Sequence, residues 1–272
     1  MKTVTSCVMF LMALVCEGAC AQSLIVPARV TISSETVSTL TETSGGDYLI
    51  PDSQIFIGGK NDTGRFLGLL GVVIDTSRNA SAIGDSGATS KIKFDSTVHK
   101  LLTKPLDIGR PLEVSLDSTT NYDVKLLPSA RLLAEDGNNA HLSFRLTARI
   151  KEPASTAEIT KNYHYGLSSQ RPLIGAGGWF ENNALLLKNE SLIAFDRLLF
   201  ALGEEISGRS REALKPEKRR LVKIVPTNGK PSITMALLAE TNETIVVVPM
   251  IGNNLLWSIV QVIDKSNVRV EY

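Results

Sequence analysis

The chain has 272 residues, with 29 Lys+Arg against 28 Asp+Glu, a formal charge of +1 at pH 7, 43% apolar residues and 21% charged ones. That is ordinary globular composition, and it excludes a collagen-like, coiled-coil or generally disordered chain. Near-neutrality also excludes the strong electrostatic footprint of a nucleic-acid binder.

Residues 1–21 read as a secretory signal. Lys2 supplies the basic start, residues 8–15 are apolar, and Ala19 and Ala21 place small side chains at −3 and −1. A membrane span needs about 20 apolar residues, and Glu17 interrupts this run early. A second processing route stays open. Cys20 follows Gly18 and Ala19, as in the bacterial lipoprotein site whose cysteine is acylated, although Glu17 stands where that site has an aliphatic residue. All three cysteines, Cys7, Cys16 and Cys20, fall in this segment, so cleavage before Gln22 leaves a chain without thiols. An exported protein without disulfides must be held by its core alone, which points to a bacterial envelope and not to an animal or plant secretory route. The expected location is the periplasm or the outer-membrane periphery, either soluble or lipid-anchored at Cys20, with no transmembrane span after cleavage. The N-x-S/T triplets at Asn61, Asn79, Asn189 and Asn242 would accept glycans only in a eukaryote.

Along the mature chain, residues 24–32 are β-branched and predict a strand, with Pro27 marking an edge or bulge. Residues 48–57 predict another, broken by Pro51. Residues 66–74 form an apolar run of nine, too short to span a bilayer as a helix. Gly64, Gly68 and Gly71 share one side of it, which suits either tight packing on a sheet or a self-associating, membrane-contacting segment. Residues 91–104 predict a helix ended by Pro105. From 111 to 168 the pattern alternates. Leu142, Phe144, Leu146, Ala148 and Ile150 point one way and His141, Ser143, Arg145, Thr147 and Arg149 the other, as on an antiparallel sheet with one wet face. Leu192, Phe195, Leu199, Leu202 and Ile206 then repeat at three and four, predicting a helix capped by Asn189 and stopped at Gly208. Between 207 and 223, seven cations (Arg209, Arg211, Lys215, Lys218, Arg219, Arg220 and Lys223) face only Glu212 and Glu217. The segment 209–223 is therefore either a solvated linker or a contact for an envelope protein, anionic lipid or lipopolysaccharide. Four or five short strands are packed after it, with turns at 240–243 and 252–254.

The whole predicts an α+β fold. An antiparallel sheet with helices packed on one face occupies 22–207, a basic linker 208–220, and a small all-β unit of SH3-like or meander form 221–272.

Motifs for chemistry are short. His99, His141 and His164 are the only histidines and none is spaced for metal ligation. Gly84, Asp85, Ser86 and Gly87 spell the serine-protease nucleophile tetrapeptide, but every histidine follows Ser86, against that family's order. Asp85, Ser86, Gly87 and Ala88 also resemble the aspartate element of retropepsin-like proteases, with Asp62, Thr63 and Gly64 as a second and Leu173, Ile174 and Gly175 as the downstream element. That chemistry needs two carboxylates sharing a proton, whereas neither aspartate follows a hydrophobic strand. Gly175, Ala176, Gly177 and Gly178 resemble a phosphate loop without its G-K-[ST] ending, and read as a turn before Trp179 and Phe180.

The order of elements, with Thr160, Lys161, Asn162 and Tyr163 as its nearest approach to a motif, resembles the YajG-like bacterial envelope lipoproteins over about residues 24–207. The C-terminal β-unit and the imperfect acylation site depart from that class. The resemblance implies a small α/β sandwich at the outer membrane with no catalytic residues, no cofactor and no metal to carry over. The expectation is an exported, non-enzymatic envelope protein acting as a binding or structural component. The alternative is a retropepsin-like aspartic endopeptidase using Asp85.

Overall fold

The computed structural model describes residues 26–33, 48–50, 54–59, 92–103, 112–114, 122–136, 139–152, 157–227 and 231–272. In chain order these form β1 (Val26–Ile32), β2 (Tyr48–Ile50), β3 (Ile55–Gly59), α1 (Phe94–Leu102), β4 (Leu112–Val114), β5 (Tyr122–Asp136), β6 (Asn139–Lys151) and β7 (Glu158–Pro172). They continue with α2 (Glu181–Ile206), α3 (Arg209–Ala213), β8 (Arg220–Pro226), β9 (Ile233–Glu240), β10 (Thr244–Ile251), β11 (Asn254–Leu255), β12 (Ile259–Asp264), a 3-10 turn and β13 (Val268–Glu271).

The strands join in one mixed sheet, ordered β13-β8-β9-β10-β12-β7-β6-β5-β1-β4, with β3 and then β2 added beside β5, and β11 on β10. At its centre β5, β6 and β7 form a long antiparallel meander. Around it the pairing turns parallel, in β1 with β4, β1 with β5, β3 with β5, and β12 with β7. This corrects the α+β expectation of an antiparallel sheet with helices on one face and a separate SH3-like or meander unit. The sheet is mixed and dominant, it runs on into the C-terminal strands, and α-helix among the described residues is limited to α1, α2 and α3. The physical reason is that alternation assigns a side chain to a face but carries nothing about which strand lies alongside. The parallel pairings all join strands distant in sequence, where no turn residue announces them.

Leu142, Phe144, Leu146, Ala148 and Ile150 are buried as the sequence predicts, but the alternation breaks at Thr147, expected on the wet face and buried at 2% exposure, where its hydroxyl meets Asn162 Oδ1 at 2.8 Å. Phe144 meets Phe94 of α1 and Phe195 of α2 in an aromatic cluster, with centroids 5.5–6.0 Å apart. Val222, Ile224, Met235, Leu237, Ile245 and Val247 form a second, smaller core among β8, β9 and β10. Closing that group, β13 returns to pair with β8.

Residues 175–178 are a turn, as expected from their glycines, and the turn delivers Trp179 and Phe180 into the core. A methyl on Gly178 would lie 2.9 Å from the Gly175 carbonyl oxygen and 3.0 Å from that of Pro172, neither of which can move aside cheaply. Gly178→Ala should therefore cost about 1–3 kcal/mol in a urea melt. Gly166→Ala, where nothing lies within 4 Å, should be close to neutral. Equal costs at the two positions would refute the packing account. Helix α2 starts before the predicted Asn189 cap. Asn182, Asn183 and Ala184 take left-handed angles (φ 50, 59 and 58) ahead of the regular turns, and Gly208 (φ 78) follows its end.

Candidate functional site

Parity along β7 puts Lys161 on the same face as Tyr163 and Tyr165, against α2, so a charged side chain enters an apolar layer. Its partner is Glu205, one residue before the end of α2, at 2.7 Å between Nζ and Oε1, with each side chain only 9% exposed. Above this floor, Arg211 of α3 donates to Glu152, just after β6. The two pairs line a small cleft walled by Tyr122, Ile150, Ile159 and Ile206, with a volume of about 10 Å³, room for about one water molecule. Outside the residues that line the cleft, the Trp257 ring centroid lies 6.0 Å from Lys161 Nζ. Tyr163 is wholly buried next to this floor with no partner for its hydroxyl. Burial, and then the Glu205 charge, raise its pKa well above the ordinary phenol value, so it stays neutral.

A second polar knot lies further along the same strand. Tyr165 donates to Asp264 (2.5 Å), and Arg197 of α2 donates to Tyr165, Asp264 and, at 3.2 Å, Glu243. Burial first and the Asp264 hydrogen bond second push the Tyr165 pKa upward. This knot ties α2 to the ends of β10 and β12.

The basic segment is internally engaged. Arg209 meets Glu204 at 2.6 Å, Lys215 and Lys218 share Glu212, Arg219 donates to the Leu214 carbonyl, Arg220 lies over the Tyr272 ring, and Lys223 meets Glu271 at 2.9 Å. Three of these carboxylate partners with Arg211 included, namely Glu152, Glu204 and Glu271, come from outside the segment, so its local field is smaller than the sequence count implies. The Lys215 and Lys218 hydrogen bonds hold the Glu212 carboxyl down at about 2.

His164 faces away from the two tyrosines, beside Arg145 of β6 and Gln261 of β12. Burial, and then the Arg145 charge, lower its pKa to about 4. The unfolded chain takes up a proton near pH 6.5 that the folded chain refuses until about pH 4. Stability should thus fall as pH drops through that window, by up to about 3 kcal/mol. His164→Gln should remove this part of the slope in urea melts at pH 4.5 and 7, and a slope equal to the parent's would refute it.

Of the other residues singled out by sequence, Asp62, Asp85, Ser86, Cys20 and the apolar run 66–74 lie outside the described residues. Among the described residues no group of His, Cys, Asp or Glu is placed to hold a metal ion, and no helix is long and apolar enough to cross a membrane. The structure joins Lys161 and Arg211, singled out separately, in one cleft. Glu152, Glu205, Tyr122 and Trp257 were missed. Glu205 had a signal, as a charge beside Leu202 and Ile206 in an apolar helical stripe, and so did Lys161, a charge between Ile159 and Tyr163 on the dry parity of a strand. Compared with models of known protein families the chain matches none, and no curated protein matches it either.

Proposed function

We propose that this chain is an exported protein of the bacterial envelope, located at the periplasm or outer-membrane periphery, that binds or holds an envelope component through the cleft at the end of α2. The observation that carries the binding reading is the pairing of Lys161 with Glu205 and of Arg211 with Glu152. Lys161 and Glu205 form a buried floor, whereas Arg211 and Glu152 are 50% and 27% exposed and present held hydrogen-bonding groups to solvent. Export is supported by the basic start, apolar run and small-residue cleavage site of residues 1–21, and by the confinement of every cysteine to that segment. The likeness to YajG-like envelope lipoproteins over about 24–207 points the same way.

Contact of 209–223 with anionic lipid or lipopolysaccharide is a second surface in this reading. Lys215 and Lys218, about half exposed, are the cations able to exchange Glu212 for a phosphate. Intact mass of protein recovered from bacterial cells tests the export reading. A chain starting at Gln22, or at a diacylglyceryl-modified Cys20, supports it. A chain retaining Met1 and Lys2 in the cytosolic fraction overturns it.

A further inference from the structure

We propose that the protein forms a symmetric dimer in which the β13 edge of its sheet pairs with the β13 edge of a second copy. The inference is independent of the cleft, and either can fail without the other.

β13 ends the strand order, and among the described residues it pairs with β8 alone. Its ladder shows which backbone groups are left over. The Thr227 N–H donates to the Asn267 carbonyl oxygen at 3.2 Å, and the register pairs Arg269 with Val225 and Glu271 with Lys223. Hydrogen-bonded and non-hydrogen-bonded pairs alternate along an antiparallel ladder, so residues 267, 269 and 271 turn their amides toward β8. Val268 lies opposite Pro226 on the other parity, where a proline breaks no ladder bond. The N–H and C=O groups of Val268, Val270 and, one residue on, Tyr272 therefore point away from β8. A row of such groups is a template for another strand.

The side chains decide which strand fits. A two-fold axis pairs an edge antiparallel with its own copy. Centred on Val270, that pairing sets Val270 on the partner's Val270, Val268 on the partner's Tyr272, and Arg269 on the partner's Glu271. The Arg–Glu pairs are of the non-hydrogen-bonded type, which brings side chains closer, and symmetry makes two of them. The Arg269 side chain is 72% exposed and has donors to spare beyond its 2.6 Å contact with Glu271 of its own strand. A slip of two residues either way would put Arg269 on the partner's Arg269, or Glu271 on the partner's Glu271. Like charges directly opposite are unfavourable, so charge selects the centred register. An edge lysine repels its own copy and keeps chains apart. An Arg and a Glu two residues apart do the reverse. Val268 and Val270 are already packed against the smaller core, and Tyr272 is 67% exposed, so each end gains an aromatic on a β-branched side chain. The contact is short, which gives reversible association with a dissociation constant on the order of 10–100 μM.

Sedimentation equilibrium of the purified protein from about 2 to 200 μM reads this directly. A monomer–dimer equilibrium is expected. Arg269→Glu and Glu271→Arg should each weaken it about tenfold, because two opposite-charge pairs become two like-charge pairs. An equimolar mixture of the two variants should recover it, since every Glu then faces an Arg. Lys100→Glu, the same change of charge on an exposed position of α1, should leave it unaltered. Thermal melts check that the variants fold. Amide exchange of the parent needs no variant. The Val270 N–H should exchange more slowly as concentration rises through the dissociation constant, whereas the Arg269 and Glu271 amides, bonded to β8, should be protected throughout. A monomer at every concentration, a dimer indifferent to both reversals, a mixture no tighter than either variant alone, or Val270 exchange independent of concentration would each overturn the proposal.

Discussion

Lys161→Met should lower the unfolding free energy by about 3–5 kcal/mol, because it strands the Glu205 carboxylate in a site where little water reaches it. The loss comes from the carboxylate left behind more than from the missing contact, and Tyr163, already neutral beside it, has only its phenol hydrogen to offer in compensation. Glu205→Leu should cost a similar amount by isolating the ammonium. The double variant Lys161→Met/Glu205→Leu should return to within about 1–2 kcal/mol of the parent, since apolar side chains of like volume satisfy a site walled by isoleucines. Urea melts of the three variants form the thermodynamic cycle. Additive single costs, or singles below about 1 kcal/mol, would mean that water relieves the pair and that the cleft floor is not as dry as its exposure implies.

The second large loss is expected at Trp179. Its side chain is wholly buried, and its indole Nε1 donates to the Ala140 carbonyl oxygen at 2.9 Å. Trp179→Ala opens a cavity under the start of β6 and orphans a buried carbonyl, for a cost of about 3–5 kcal/mol. Trp179→Phe keeps most of the volume and should cost about 1–3 kcal/mol, chiefly for the unpaired carbonyl. Domains are stable by only about 5–15 kcal/mol, so the alanine variant should lose cooperative near-ultraviolet signal at much lower urea. If the two variants unfold at the same midpoint, cavity volume is not what Trp179 supplies.

Local periodicity made much of the interior legible. The buried set of β6, the apolar stripe of α2 around Phe195 and Leu202, and the turn ahead of Trp179 follow from spacing and glycine content. The fold class was not legible, because it depends on pairings such as Val30 with Val124 and Val260 with Tyr163. Two β-branched segments look alike whether they lie side by side or at opposite edges. The basic segment misled for a related reason. Counting charges along 207–223 omits Glu152, Glu204 and Glu271, which folding brings to Arg211, Arg209 and Lys223. The cleft was legible only in halves. Lys161 and Glu205 each violate an apolar pattern, and either violation alone reads as a solvated surface residue; only the contact between β7 and α2 turns the two into one buried pair. Trp257 had no signal, being one aromatic among short strands.

The parallel ladder between β12 and β7 has a temporal consequence. Tyr165 and Asp264, which it brings within hydrogen-bonding reach, are 99 residues apart in the chain. Contacts of such separation are slow to form, because the intervening loop must close before any reward arrives. The central meander therefore has an open edge on β7 until the last few dozen residues have been made and threaded into place.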